Sequence, residues 1–349
     1  GDDGIDLQKP WEYNSPRDYN GHGSHTSSTS GGNYGVPLTG PAAVMGTVNG
    51  MAPRARLAMY KALWSTEDAS QANGYGVDLL AAIDTAVADG VDVINYSISG
   101  SRTNFADPVM ISFLFAARAG IFVSCSAGNN GPTESTVAHP GPWVTTVAAG
   151  THNRSGEGSV TMGDGSTYYG ASLATAVGPA PLIASKNAGL PGVSPDDPAL
   201  VLCYSSLDGG NLLDPAKVAG KIVLCDRGTN ARVSKSVAVL EAGGIGMVLV
   251  NVVDGTLNAD FHFVPTVHLQ ATDYAAVHAY ADTEGATATI NQAVITFDAD
   301  APLIASFSSA GPLLAGGGDL LKPDLMAPGV DILAAVGEDF FLFSGTSMA

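Results

Sequence analysis

Short apolar runs alternate with stretches of helical periodicity from Arg56 onward, and no other feature narrows the fold as far. The runs Leu57–Leu63, Val91–Ile98 and Ile121–Cys125 are separated by the helical patterns Val77–Ala88 and Val109–Ala119. Leu79, Leu80, Ile83, Ala86 and Val87 recur at helical spacing along one face, whereas Val91, Val93 and Ile94 suit a strand covered on both sides. The alternation predicts βαβ units, hence an α/β fold with a parallel sheet. Gly90 and Gly120, each just past a helical pattern, are suitable stop residues.

The pattern changes after about Pro179. Leu200–Cys203, Lys221–Cys225 and Met247–Val253 read as short strands and Val233–Ala242 as a helix, separated by glycine and proline clusters. They predict a second, smaller α/β unit over residues 179–298, between a first part, 1–178, and a return to the main fold over 299–349. Leu314–Asp319 reads as a flexible glycine-rich turn.

A chain of 349 residues buries roughly three quarters of its unfolded surface, so a large core is expected. With 33 acidic against 15 basic side chains the formal net charge is −18, which opposes binding to nucleic acid or an anionic membrane. The 43 glycines and 20 prolines interrupt every apolar run before the ~20 residues of a spanning helix. No signal-peptide pattern precedes Gly1.

Two segments suggest chemistry. Ser347 stands among small residues in Ser-Gly-Thr-Ser-Met-Ala, and His22 is flanked by Gly21 and Gly23. A serine hydroxyl is a poor nucleophile at neutral pH and needs a base within hydrogen-bond reach, which His22 can supply. Taken alone, Ser-Gly-Thr-Ser is also an ordinary helix cap. His22 and His25 at i and i+3 could be read as metal ligands, but no third ligand with metal-site spacing accompanies them, so no metal or cofactor is expected. Asn129, in Ser-Ala-Gly-Asn-Asn-Gly, follows a buried strand and can donate its amide to an oxyanion; the plainer reading is a turn.

Three separated segments, GHGSHTSS (Gly21–Ser28), SAGNNGP (Ser126–Pro132) and SGTSMA (Ser344–Ala349), occur in the order of one family. They resemble the histidine, oxyanion-asparagine and serine motifs of the subtilisin-like serine peptidases, the subtilases. VDVINYSISG and LKPDLMAPGVDILAA extend the likeness over most of the chain. The resemblance implies a subtilisin-like parallel sheet with helices on both faces. It implies endopeptidase chemistry by a Ser-His-Asp triad, with His22 as base, Ser347 as nucleophile and Asn129 in the oxyanion hole. His25 is then a structural neighbour. Ser97, Ile98 and Ser99 correspond to the segment that pairs with an extended substrate, and Ser126, Ala127 and Gly128 to the facing wall of the primary pocket. Serine at 99, where relatives have glycine, would narrow that pocket. The partners implied are a protein or peptide substrate and a propeptide inhibitor.

DPAKVAGKIVLCDRG and AVLEAGGIGMVLVN look like the protease-associated domain inserted in many subtilases, expected to tune substrate access without supplying catalytic groups. Cys203 and Cys225 resemble a pair bridged in secreted members; two buried thiols are the alternative. Cys125 reads as a small core residue. Secretion is inferred from the family, the acidic composition and the bridge that the resemblance implies.

The chain departs from the family at its ends. No strand ending Asp-Ser/Thr-Gly precedes His22, and only Met348 and Ala349 follow Ser347, so the chain reads as an internal fragment lacking the catalytic aspartate. Asp2, Asp3, Asp6 and Asp18 lie in polar, turn-like sequence, and Asp18 reads as a solvated loop charge. A degenerate subtilase that binds peptides without cutting them is the competing reading, against which the joint presence of His22, Asn129 and Ser347 counts. An α/β-hydrolase places its histidine last, and a chymotrypsin-like enzyme is built of β-barrels; neither agrees with this order and pattern.

Overall fold

A computed structural model describes residues 10–67, 69 and 71–349. The chain first forms α1 (His22–Gly31), α2 (Gly76–Asp89), β1 (Val93–Tyr96), α3 (Pro108–Arg118), β2 (Phe122–Ser126) and β3 (Thr145–Gly150). There follow β4 (Ser155–Met162), β5 (Thr167–Ala171), β6 (Val177–Ala184), β7 (Ile222–Asp226), α4 (Arg232–Glu241), β8 (Gly246–Val250) and β9 (Thr266–Leu269). Next come α5 (Tyr274–Ala281), β10 (Thr287–Ile290), β11 (Val294–Thr296), β12 (Leu325–Pro328), β13 (Ile332–Val336) and β14 (Asp339–Phe343). Single helical turns and two-residue ladders are left unnumbered.

The first of two compact units comprises the chain up to Thr151 and Pro302–Ala349. Its sheet has the order β12-β3-β2-β1, parallel throughout. Ile83 of α2 and Met110, Phe113 and Ala116 of α3 pack on Tyr96, Val123 and Cys125, which share one face of β1 and β2. On the opposite face Val93 and Phe122 are more than half exposed, and α1 packs instead on β13. The stops read from sequence are observed: Gly90, at φ 72°, returns its N–H to Ala86 and Val87.

Leu57–Leu63, expected as a strand, is irregular, and Leu57 and Met59 are half exposed. An apolar run becomes a strand only where a ladder partner saturates its backbone. β1 is the edge of the described sheet, and this run pairs with none of its strands.

The second unit runs from His152 to Ala301, so its strands begin well before Pro179, which lies inside β6. Its sheet follows the order β10-β6-β7-β8-β9-β5-β4-β11, and a further pairing of β10 with β4 closes it into a barrel. Ile222, Leu224, Val248 and Val250 fill the interior. The alternate residues Val223, Cys225, Met247 and Leu249 pack outward against Ala238 and Val239 of α4. Both faces are covered, which is why these strands read as unbroken apolar runs.

The stretch expected as a strand over Leu200–Cys203 is a helical turn, Pro198–Val201, leading into Cys203. Asp197 accepts from Ala199 N–H and Pro198 stands at the first helical position, a start signal that outweighs the apolar run. Cys203 is nevertheless bridged to Cys225, and both are fully buried. Closing a 22-residue separation is worth about 3 kcal/mol in the loop-entropy account. Replacing both cysteines by alanine is expected to lower stability by about that amount in denaturant titration; an unchanged midpoint would mean that packing alone carries the site. Cys125 is a free, buried thiol whose pKa burial pushes up to about 12.

Candidate active site

The carboxyl ends of β1 and β2 present Ser97–Ser99 and Ser126–Asn129, at the edge where open parallel sheets place ligands. Ser126 and Ala127 are buried; Ala127 donates its N–H to Val147 O and accepts from Ala138 N–H. Gly128 adopts φ 102°, and a Cβ there would lie 2.9 Å from Ser309 Oγ. The chain needs glycine at this point both for its conformation and for the close approach. Ile98 O accepts from His139 Nε2 at 2.8 Å, while Ser99 is exposed.

Ser347 arrives from the other end of the unit. Gly345 N–H donates to Gly329 O and Met348 N–H to Gly345 O, so the serine sits in a tight turn. Thr346 N–H and Thr346 Oγ1 both donate to Asn129 Oδ1, at 2.9 and 3.0 Å, and Gly128 N–H donates to Thr346 Oγ1 at 3.1 Å. Ser97 Oγ donates to Ser347 O at 3.0 Å, and Ser347 Oγ donates to Ser97 O at 3.4 Å. Ser97, Gly128, Asn129 and Ser347 are thus brought together.

His22 is the first residue of α1. Burial lowers its pKa against the opposing charge of Asp18, which favours the neutral ring. Among the described residues its ring makes no hydrogen bond, so the structure does not join His22 to Ser347. Asp18 is no solvated charge. Its carboxylate accepts from Gly21 N–H, Ser24 N–H and Ser24 Oγ, capping α1. Burial raises its pKa, but these donors outweigh burial and the net displacement is downward. Asp2, Asp3 and Asp6 lie outside the described residues.

Two contributors were not readable from sequence. Thr346 orients Asn129 across 217 residues, and His139 holds the Ser97–Ser99 segment through Ile98 O. A Cβ at Gly100 would lie 2.2 Å from His139 Cε1, so that glycine records the ring's position. Nothing in the local sequence of Thr346 or His139 signals either partner.

The Ser347 turn and the Asn129 carboxamide thus meet, through Thr346, at the end of a parallel sheet, and comparison with known proteins gives the family. The profile of the subtilase family matches residues 2–349, and the chain belongs to this family of subtilisin-like serine peptidases. It is 40% identical over 365 residues to subtilisin-like protease SBT1.6 of Arabidopsis thaliana, covering 98% of this chain and 46% of that protein. It is 42% identical over 334 residues to SBT5.3 of the same plant, covering 93% and 42%. The chain therefore spans under half the length of these relatives. Among solved structures it is similar to the psychrophilic subtilisin-like protease Apa1 from Pseudoalteromonas sp. AS-11, at 16% identity and TM-score 0.36, covering 94% of this chain and 70% of that one. Among the described residues no helix is long and apolar enough to cross a membrane.

Proposed function

We propose that the protein is a secreted serine endopeptidase in which Ser347 attacks the peptide carbonyl and His22 takes, then returns, the proton. Asn129 Nδ2 and the Ser347 N–H hold the oxyanion. The observation that carries this reading is the double donation of Thr346 to Asn129 Oδ1, which commits the carboxamide's oxygen and turns its N–H₂ to the remaining side, next to the nucleophile's turn. Ser97–Ser99 pair with the extended substrate, and Ser126–Gly128 wall its primary pocket. Asp18 does not complete the triad, because its oxygens are taken by the start of α1; the orienting carboxylate is proposed to lie outside these 349 residues. The unit His152–Ala301 acts as a protease-associated module that tunes substrate access.

The test is reaction of the full-length protein with a fluorophosphonate, followed by peptide mapping. Label at Ser347 that disappears in His22→Ala supports the reading, and equal labelling of that variant contradicts it.

The lowered pKa of His22 has a kinetic consequence. A general base must be neutral, and burial keeps this imidazole neutral below the ordinary histidine value of 6.5. The carboxylate proposed to lie outside these residues would act oppositely and raise that pKa, so the acid limb of kcat/KM of the full-length protein is expected to move to lower pH when that carboxylate is replaced by an amide, which pH–rate profiles on a neutral peptide measure directly. An unmoved limb would mean that no carboxylate faces the His22 ring.

A further inference from the structure

The second histidine of the Gly-His-Gly-Ser-His segment does more than fill space. His25 is completely buried, one turn after His22 on α1, and its ring lies parallel to Phe343 with centroids 4.4 Å apart. Its Nε2 faces two backbone carbonyls, Ile332 O at 2.9 Å and Phe341 O at 3.2 Å. Both are acceptors, so Nε2 carries the proton and the neutral ring leaves its lone pair on Nδ1, which is buried without a partner.

These carbonyls belong to the antiparallel hairpin β13–β14, where Ile332 pairs with Phe343 and Ala334 with Phe341. The helix touches that hairpin at two further points. Ser28 Oγ donates to Ala335 O at 3.1 Å and accepts from Ala335 N–H at 3.0 Å. Gly21, at φ 92°, lies so close that a Cβ there would be 2.6 Å from Val336 Cγ1. β14 then leads within four residues to Ser347. The base of the hairpin is closed as well, since Asp331 N–H donates to Ser344 Oγ and Ser344 Oγ donates to Asp331 Oδ1.

We propose that His25 is a positioning residue: by sharing its Nε2–H between Ile332 O and Phe341 O it fixes α1 to the β13–β14 hairpin and so sets how His22 meets Ser347. The proposal rests on the assignment of His22 and Ser347 made above. Helix and hairpin carry the two reacting groups, and a misplacement of about 1 Å in such a pair can cost a hundredfold in rate.

The test uses three variants of the full-length protein, each checked for native circular dichroism. His25→Phe keeps a flat ring against Phe343 but loses the donor; His25→Gln keeps a donor; Ser28→Ala removes the second attachment. The readouts are kcat and KM on a peptide and the rate of fluorophosphonate labelling at Ser347. His25→Phe is expected to lose about tenfold or more in both kcat and labelling rate with KM within about twofold. His25→Gln is expected to recover to within about threefold of wild type, and Ser28→Ala to lose about threefold in kcat. A folded His25→Phe that labels at the wild-type rate, or whose loss lies in KM alone, overturns the proposal. So does a folded His25→Gln no better than the phenylalanine variant. If His25→Phe does not fold, an unchanged kcat in Ser28→Ala overturns it. A wild-type protein that does not label at Ser347 instead removes the assignment on which the proposal rests.

Discussion

Ser347→Ala in the full-length protein is expected to lower kcat about a millionfold, with His22→Ala close behind; the magnitude is that of subtilisin, a member of the same family. The physical reason lies in the protonated hydroxyl. Without the imidazole, Ser347 keeps its proton at neutral pH and cannot attack; without Ser347, the imidazole has nothing to activate. The two losses should therefore fail to multiply, and the double variant should be about as slow as either single one. KM should stay within a few fold, because the backbone pairing proposed along Ser97–Ser99 does not depend on either group. Active-site titration and steady-state kinetics on one peptide settle the matter. Retention of more than about a hundredth of the wild-type kcat in Ser347→Ala would assign the hydrolysis to another residue.

The parts of the fold that were legible in the sequence are those governed by local periodicity. α2, β1, α3 and β2 lie within two residues or so of the ranges expected, because apolar spacing and a following glycine are local signals. Leu57–Leu63 was misread because the ladder that makes a strand is not encoded in the strand itself. In Leu200–Cys203 the apolar run suggests a strand, but Asp197-Pro198 just before it starts a helical turn. Closure of the second unit into a barrel depends on β10 meeting β4 across more than a hundred residues, and no pattern within either strand announces it. α1 illustrates the same limit. Its sequence, HGSHTSSTSG, has no apolar stripe, and it is held by contacts with β13 rather than by propensity.

The site divides along the same line. His22, Asn129 and Ser347 are singled out by motifs whose neighbours are small for a chemical reason, and their roles are proposals that rest on those motifs. Their second partners are not singled out. Asp18 looked like a solvated charge since the N–H groups it accepts from belong to a helix that the sequence does not advertise. The clamp at His25 likewise depends on carbonyls more than three hundred residues away.

Asn129 carries the second large effect. Its Oδ1 accepts from Thr346 N–H and Oγ1, so the orientation of the carboxamide is decided by chemistry rather than by choice of rotamer. The N–H₂ group is left free to donate to an oxyanion, a charge that exists only in the transition state, so its loss should fall on kcat and spare KM. Asn129→Ala is expected to lower kcat by about 10²–10³, again the magnitude found for subtilisin. Alanine also strands the two Thr346 donors, so a second variant separates donation from orientation. In Asn129→Asp one carboxylate oxygen can still accept from Thr346, while the other places a negative charge where the donor stood. If Asn129 acts by donating to the oxyanion, the aspartate variant should fold as well as wild type and be at least as slow as the alanine one, because like charges face each other in the transition state. If Asn129 only braces the Ser347 turn, aspartate should restore most of the activity that alanine loses. Kinetics of the two variants on one peptide, with thermal denaturation alongside, distinguish these outcomes.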